Sequence, residues 1–547
     1  MMHCVTTGCS RAAVLMLALG LASQQPQPER AMLPDEALVV VEIADPPAAV
    51  EAMLAALGDV PDGLPMLVRG KVAVGVASLA FALGGTPQRW AQRVAGGGAV
   101  LGLLPHKGKA VPIAIMQPGD MAAAIKWFSR AVGVDRHAVV GKYMLVAGVS
   151  TALPRLREHL DQRGGRWGKV AAASDCSDGG ATDIRILVDV HGWRKQAGDR
   201  WPDGAKLDGG ARFLLAPVAH VLAEARWLRV AIGGGDRLFV ELEADASVRG
   251  RDDGQMLLTT PRPLPVLPPD GIAAMRLERS LHRLFATPET FLNEDERLAI
   301  GEFLSIADAL DGPHTSFVAD GLGGLGEPLD LMVFAANVGE GPDERSPLAL
   351  PQFALLTEVT GKPTEALLTR MLRLLATIVN AERTRMDKQA FFVRNRRGDD
   401  SGHGMVGEPR TWRGPGRPPI EQQVTPTIWF DGGFVALAST QAAAIQAITA
   451  AKKAGRAPTR GDRLLVRGGP LARELIANHR PLAFARMLDE GDSPTEADQF
   501  FVVVERVLAA IDLLEVSLMA EAKVTRATVR LQRVPATGED PLKEQGR

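Results

Sequence analysis

Basic side chains crowd one stretch of the chain. Residues 383–417 carry Arg383, Arg385, Lys388, Arg394, Arg396, Arg397, Arg410, Arg413 and Arg417, with Phe391, Phe392 and Trp412 among them and few acids. A guanidinium presents a planar fork of donors that matches carboxylate and phosphate oxygens. Arg394, Arg396, Arg397, Arg410, Arg413 and Arg417 are therefore the candidates for gripping an anionic partner. That partner is an unidentified envelope protein, a lipid headgroup or an anionic polymer. The competing expectation is a solvated loop whose arginines point into water.

Other motifs look like chemistry and fail on context. Gly321-Leu-Gly323-Gly324-Leu-Gly326 matches the dinucleotide fingerprint G-x-G-x-x-G letter for letter. That fingerprint needs a strand before it and a helix after it, so that a helix N-terminus meets the pyrophosphate. Here LDLMVFAA follows and reads as a strand, so a glycine turn is expected. Gly102, Gly108 and Lys109 suggest a phosphate loop, but five residues intervene and Ala110 replaces the magnesium-binding hydroxyl. A hairpin turn is expected there instead.

Nucleophilic and metal chemistry find no anchor. The nearest approach to a nucleophile elbow, Gly148-Val-Ser150, lacks its closing glycine. Cys176 sits in SDCSDGG without a neighbouring histidine. Histidines at 106, 137, 159, 191, 220, 282, 314, 403 and 479 stand singly, and no pair lies three or four apart. The acidic loops around Asp175, Asp178 and Asp183, and around Asp199, Asp203 and Asp208, miss the calcium-loop register. Glu241, Glu243 and Asp245 would share one face of a strand and could form an acid–base pair. A solvated strand face is the plainer expectation. No catalytic residue, cofactor or metal is assigned.

Positioning any such residues requires a fold, and composition bounds it. The 547 residues carry a net charge of −2 and 46% apolar residues, enough for more than one domain with a core. Near-zero charge argues against nucleic acid, which demands a clustered basic excess. Residues 1–22 read as a signal peptide: Ala12 to Ala22 is apolar but too short to span a bilayer, with small residues at Gly20 and Ala22. Residues 23–32 form a polar tether. Cys4 and Cys9 would leave with the signal, so the remaining Cys176 cannot form an internal disulfide. No later segment reads as a transmembrane helix, because Glu505, Arg506, Asp512 and Glu515 break the best apolar run.

Element order then repeats along the chain. LPDEALVVVEI from Leu33 matches LPPDGIAAMRLE from Leu267, and AGGGAVLGLLP from Ala95 matches GGLGEPLDLMVFAA from Gly323. VPIAIM from Val111 and PQFALLTEV from Pro351 each lead into a helix. Met121, Ala124, Ile125 and Phe128 fall on one face of the first helix, and Leu367, Met371, Leu374, Leu375 and Ile378 on one face of the second. GKYMLVAGVS from Gly141 pairs with GGFVALAST from Gly432, and each half closes on a helix and two strands. This predicts an α+β fold of two related halves, 31–260 and 261–535, with mainly antiparallel sheets and helices packed on one face. Residues 394–423 are expected to be a polar excursion, either a mobile hairpin or disordered, and 536–547 a polar tail.

The signal segment, LPDEALVVVEI, GKYMLVAGVS, LPQFALLTEV and the terminal helix–hairpin together resemble a group of large exported bacterial proteins of unknown function. The resemblance implies an exported α+β protein and transfers no catalytic residue. The expected role is an exported, non-catalytic binding or assembly protein of the periplasm or cell envelope. The alternatives are a hydrolase whose residues converge from distant positions, and an interaction scaffold tethered by an uncleaved first segment.

Overall fold

A computed structural model describes residues 37–43, 87–106, 109–131, 136–160, 184–197, 221–246 (without 222 and 234–236), 264–278, 281–286, 294–311, 316–336, 348–386, 390–407 (without 391 and 399–401), 423–454, 461–520 and 524–533. The signal segment, the tether, Cys176, both acidic loops and the polar tail lie outside them. The chain divides into two compact units. Unit 1 comprises 1–202, 221–246 and 524–530; unit 2 comprises 203–220, 247–523 and 531–547.

Unit 1 is built on strands β1 (Val39–Ile43), β2 (Ala99–His106), β3 (Lys109–Met116), β4 (His137–Val140), β5 (Tyr143–Ala147), β6 (Ile184–Val188), β7 (Leu228–Gly233) and β8 (Arg237–Ala244). Among the described residues these strands pair antiparallel, in the order β4-β5-β3-β2-β1-β6-β7-β8. Alternating side chains give the sheet two apolar faces. Val39, Val41, Ile43, Met144 and Val146 meet helices α1 (Pro87–Ala95) and α2 (Met121–Ala131). Val40, Ile113, Ile115, Leu145 and Ala147 meet α3 (Leu153–Leu160) on the other side. A further helix, α4 (Val190–Ala197), adds Trp193 to the first face. Helices thus cover both faces, which corrects the one-sided packing expected. A strand with apolar residues at successive positions has two faces to bury, not one.

Unit 2 holds β9 (Gly271–Leu277), β10 (Leu329–Phe334), β11 (Gln352–Glu358), β12 (Val393–Arg397), β13 (His403–Gly407), β14 (Thr427–Asp431), β15 (Phe434–Ala438), β16 (Asp462–Val466) and β17 (Ile511–Ala520). Their order is β12-β13-β14-β15-β11-β10-β9-β16-β17, again antiparallel. From β14 to β17 this repeats the unit 1 order from β4 to β7, strand for strand. The hairpins match too. Gly141 (φ +58°) and Gly432 (φ +60°) each open a two-residue turn, a left-handed conformation that glycine adopts without a Cβ penalty.

Helices α5 (Leu281–Ala286) and α6 (Glu294–Asp311) precede α7 (Lys362–Arg385), which packs Leu368 and Leu372 on Ile428, Phe430 and Val435. Helix α8 (Gln441–Lys452) packs its alanines and Ile448 on the opposite face, against Ala354, Leu356, Val406, Trp429 and Ala436. Three more helices follow: α9 (Gly468–Ala477), α10 (His479–Glu490) and α11 (Pro494–Ala509). The final strand, β18 (Thr525–Arg533), pairs with β8, and its residues up to Arg530 belong to unit 1.

Of the two forms weighed for the polar excursion, the described residues take the hairpin. Part of the polar excursion is regular structure: 394–397 and 403–407 lie in the paired strands β12 and β13, which extend the sheet beyond β14. On the helices, Ala124, Phe128 and Leu367 are buried, while Ile125, Leu375 and Ile378 are exposed. Periodicity assigns a face to a helix but does not say how much of its length is covered.

Candidate functional site

Register sorts the arginines. β12 pairs with β13 so that Arg394 lies opposite Val406, Asn395 opposite Met405, Arg396 opposite Gly404 and Arg397 opposite His403. Val406 faces α8, and alternation carries Arg394 and Arg396 to that same side. Asn395 and Arg397 face the α7 side, where Asn395 Oδ1 accepts a hydrogen bond from Arg373 Nη2 at 3.4 Å. Arg410, Arg413 and Arg417 lie outside the described residues. The structure therefore brings two members of the predicted set together and separates Arg397 from them.

Arg394 and Arg396 line a cavity of about 240 Å³ together with Val406, Gly407, Thr425, Thr440, Gln441 and Ala442. The last three open helix α8. Thr440 caps it: its Oγ1 accepts the Ala443 N–H at 3.2 Å and donates to Gln352 Oε1 at 2.7 Å. The N–H groups of Gln441 and Ala442 belong to the first turn, which has no intrahelical acceptors and sits at the positive end of the helix dipole. Two guanidiniums and a helix start thus converge on one recess, and none of the described residues that line it is a carboxylate. Such a set binds negative charge.

No family model, curated protein or solved structure matches the chain. The site must be read from its own geometry.

The other candidates resolve into structure. The glycine-rich stretch follows helical turns at 317–321 and 322–324 and precedes strand β10, the reverse of a dinucleotide fold. A Cβ at Gly324 would fall 1.8 Å from Thr364 Oγ1, so this glycine admits α7 to close packing. Residues 99–106 and 109–116 pair antiparallel as β2 and β3, with His106 opposite Lys109, and 107–108 lie outside the described residues. The carboxylate strand is not a solvated face, which corrects that expectation. Glu243 is 7% exposed and holds Arg229 Nη2 and Arg526 Nη2, each at 3.0 Å. Glu241 meets Arg526 Nε at 2.9 Å, and Asp245 accepts the backbone N–H groups of Arg226 and Trp227. Arginine from 283 residues away supplies the cover, which no local pattern announces.

Sequence reading also passed over His479. Its Nδ1 lies 2.8 Å from Glu505 Oε1 and its Nε2 lies 3.2 Å from Asp498 Oδ1. Burial pulls its pKa down, and the two carboxylates more than offset this, leaving it raised above its ordinary 6.5. Separations of 19 and 26 residues leave no linear signal of the cluster. His137 lies 3.4 Å from Ser129 Oγ, and His403 lies 3.5 Å from Glu365. None of these histidines lines the cavity. Among the described residues no group of three or more His, Cys, Asp or Glu side chains could hold a metal ion.

Proposed function

We propose that this chain is an exported protein of the cell envelope that binds, without transforming, a small anionic group in the recess between β12 and the start of α8. One observation carries the reading: Arg394, Arg396 and the first turn of α8 line a single cavity, and no carboxylate is among its described lining residues. Its size suits a phosphate, sulfate or carboxylate group, free or at the end of a larger molecule. Export rests on the apolar segment Ala12 to Ala22 and on the resemblance to exported bacterial proteins. The same reading takes the two halves as products of a duplication, supported by their shared strand order. The arginine hairpin β12–β13 then belongs to the second half as an added piece, lying between α7 and β14.

Calorimetric titration with inorganic phosphate, sulfate and acetate tests this. Arg394 and Arg396 are exposed, so the double variant Arg394→Gln/Arg396→Gln should keep the parent's melting temperature. A hydrogen bond to a charged group contributes about 1.5–3 kcal/mol, so the variant should bind at least about tenfold more weakly. Equal binding by parent and variant, or no binding of any of the three anions, would sink the proposal.

A further inference from the structure

Helix α7 is longer than the sheet beneath it. Its 24 residues span about 36 Å. The first part is anchored: Thr364, Leu367 and Leu368 are buried, and Leu372 packs on the sheet. Arg373 then reaches Asn395 on β12, the edge strand among the described residues. Past that edge the apolar stripe continues uncovered. Leu375 is 44% exposed, Ile378 50% and Val379 45%, and they share the helix face of Leu368 and Leu372 at three- and four-residue spacing. Met386, just beyond the helix, extends the exposed run.

Basic residues flank this stripe on both sides. At 100° per residue, Arg383 and Arg385 fall about 80° to either side of Leu375. From Arg373 to Met386 the helix holds three arginines against one acid, Glu382, which falls on the stripe and pairs with Arg385 at 3.3 Å. A positive excess thus lies beside an exposed apolar stripe rather than in a recess. An amphipathic helix lying in a membrane interface has this arrangement, with its apolar stripe among the acyl chains and its basic flanks at the anionic headgroups. No described helix is long and apolar enough to cross a membrane, so the contact is with the surface.

We infer that the overhanging half of α7, with Leu375, Ile378 and Val379 between Arg383 and Arg385, docks on an anionic membrane surface. The contact lies on the α7 side of the sheet, away from the anion recess, and does not depend on the recess being occupied.

Co-sedimentation of the full chain with two kinds of vesicle tests the inference: phosphatidylcholine alone, and an equimolar mixture with phosphatidylglycerol. The parent should prefer the mixed vesicles, and added salt should weaken it. Ile378→Glu/Val379→Glu and Arg383→Gln/Arg385→Gln should each bind the mixed vesicles at least about tenfold more weakly. The apolar segment Ala12 to Ala22 is common to all three proteins and cannot produce the difference. Should the glutamate variant lose its cooperative melt, the glutamine variant still decides. Equal binding by parent and variants, or equal binding to both vesicles, overturns the inference. Capture on immobilised polyglutamate without vesicle binding overturns it too, and reassigns the surface to an acidic protein.

Discussion

An arginine withdrawn from water has to take its counter-charge along. Arg276 on β9 is 3% exposed and meets Asp330 on β10 through two bonds, Nε to Oδ1 at 2.8 Å and Nη2 to Oδ2 at 2.7 Å. Asp330→Ala would strand that cation, at a cost of about 3–5 kcal/mol. The urea midpoint of unit 2 should fall accordingly, and a shift worth under about 1 kcal/mol would show that solvent reaches the guanidinium. Replacing both partners by apolar residues should cost much less, because no charge is left behind. At this scale the sequence was legible for types and not for partners. It marked Arg394, Arg396 and Arg397 as a cluster. Their division between two faces follows from strand alternation, which becomes visible only once 393–397 is known to be a strand. Composition alone left that stretch open between a hairpin and a disordered loop.

His479 ties two elements together. It stands at the start of α10, and both of its carboxylate partners, Glu505 and Asp498, belong to α11; the ring of Phe501 lies 5.8 Å from its own. Its folded pKa is raised, so the folded state binds the proton more tightly than the unfolded chain does. The stabilisation is therefore complete below about pH 6.5 and is lost as pH rises through the folded value. His479→Gln should destabilise unit 2 more at pH 5.5 than at pH 8.5, as read from denaturant midpoints at the two values. A loss independent of pH would mean that the imidazole acts only through packing. Strands, hairpins and helix faces were readable from alternation, from glycine pairs such as Gly432-Gly433 and from three-to-four spacing. The coverage of a helix was not, since it depends on where the neighbouring sheet ends.

At the scale of the chain, the antiparallel sheet with helices packed against it was legible, because alternating apolar runs and glycine turns mark its strands. What stayed hidden was the return of the C-terminus. Residues 524–530 belong to unit 1, where β18 pairs with β8 and Arg526 meets Glu241 and Glu243. A chain ending at residue 523 would leave Glu241 without that partner and β8 without that neighbour. Limited proteolysis of such a chain should cut within 221–246 faster than in the full chain. Unchanged protection there would show that β18 adds nothing to unit 1.

That returning strand also sets an order of events. A ribosome releases residues 1–246 long before residue 524 exists, so the first unit must wait with its outer strand uncovered while some 277 residues are still to be made. Its sheet is finished by a strand made long after the rest of the unit. For a chain threaded across a membrane from its N-terminus, this delay would keep the leading unit incomplete until residues 524–530 had followed.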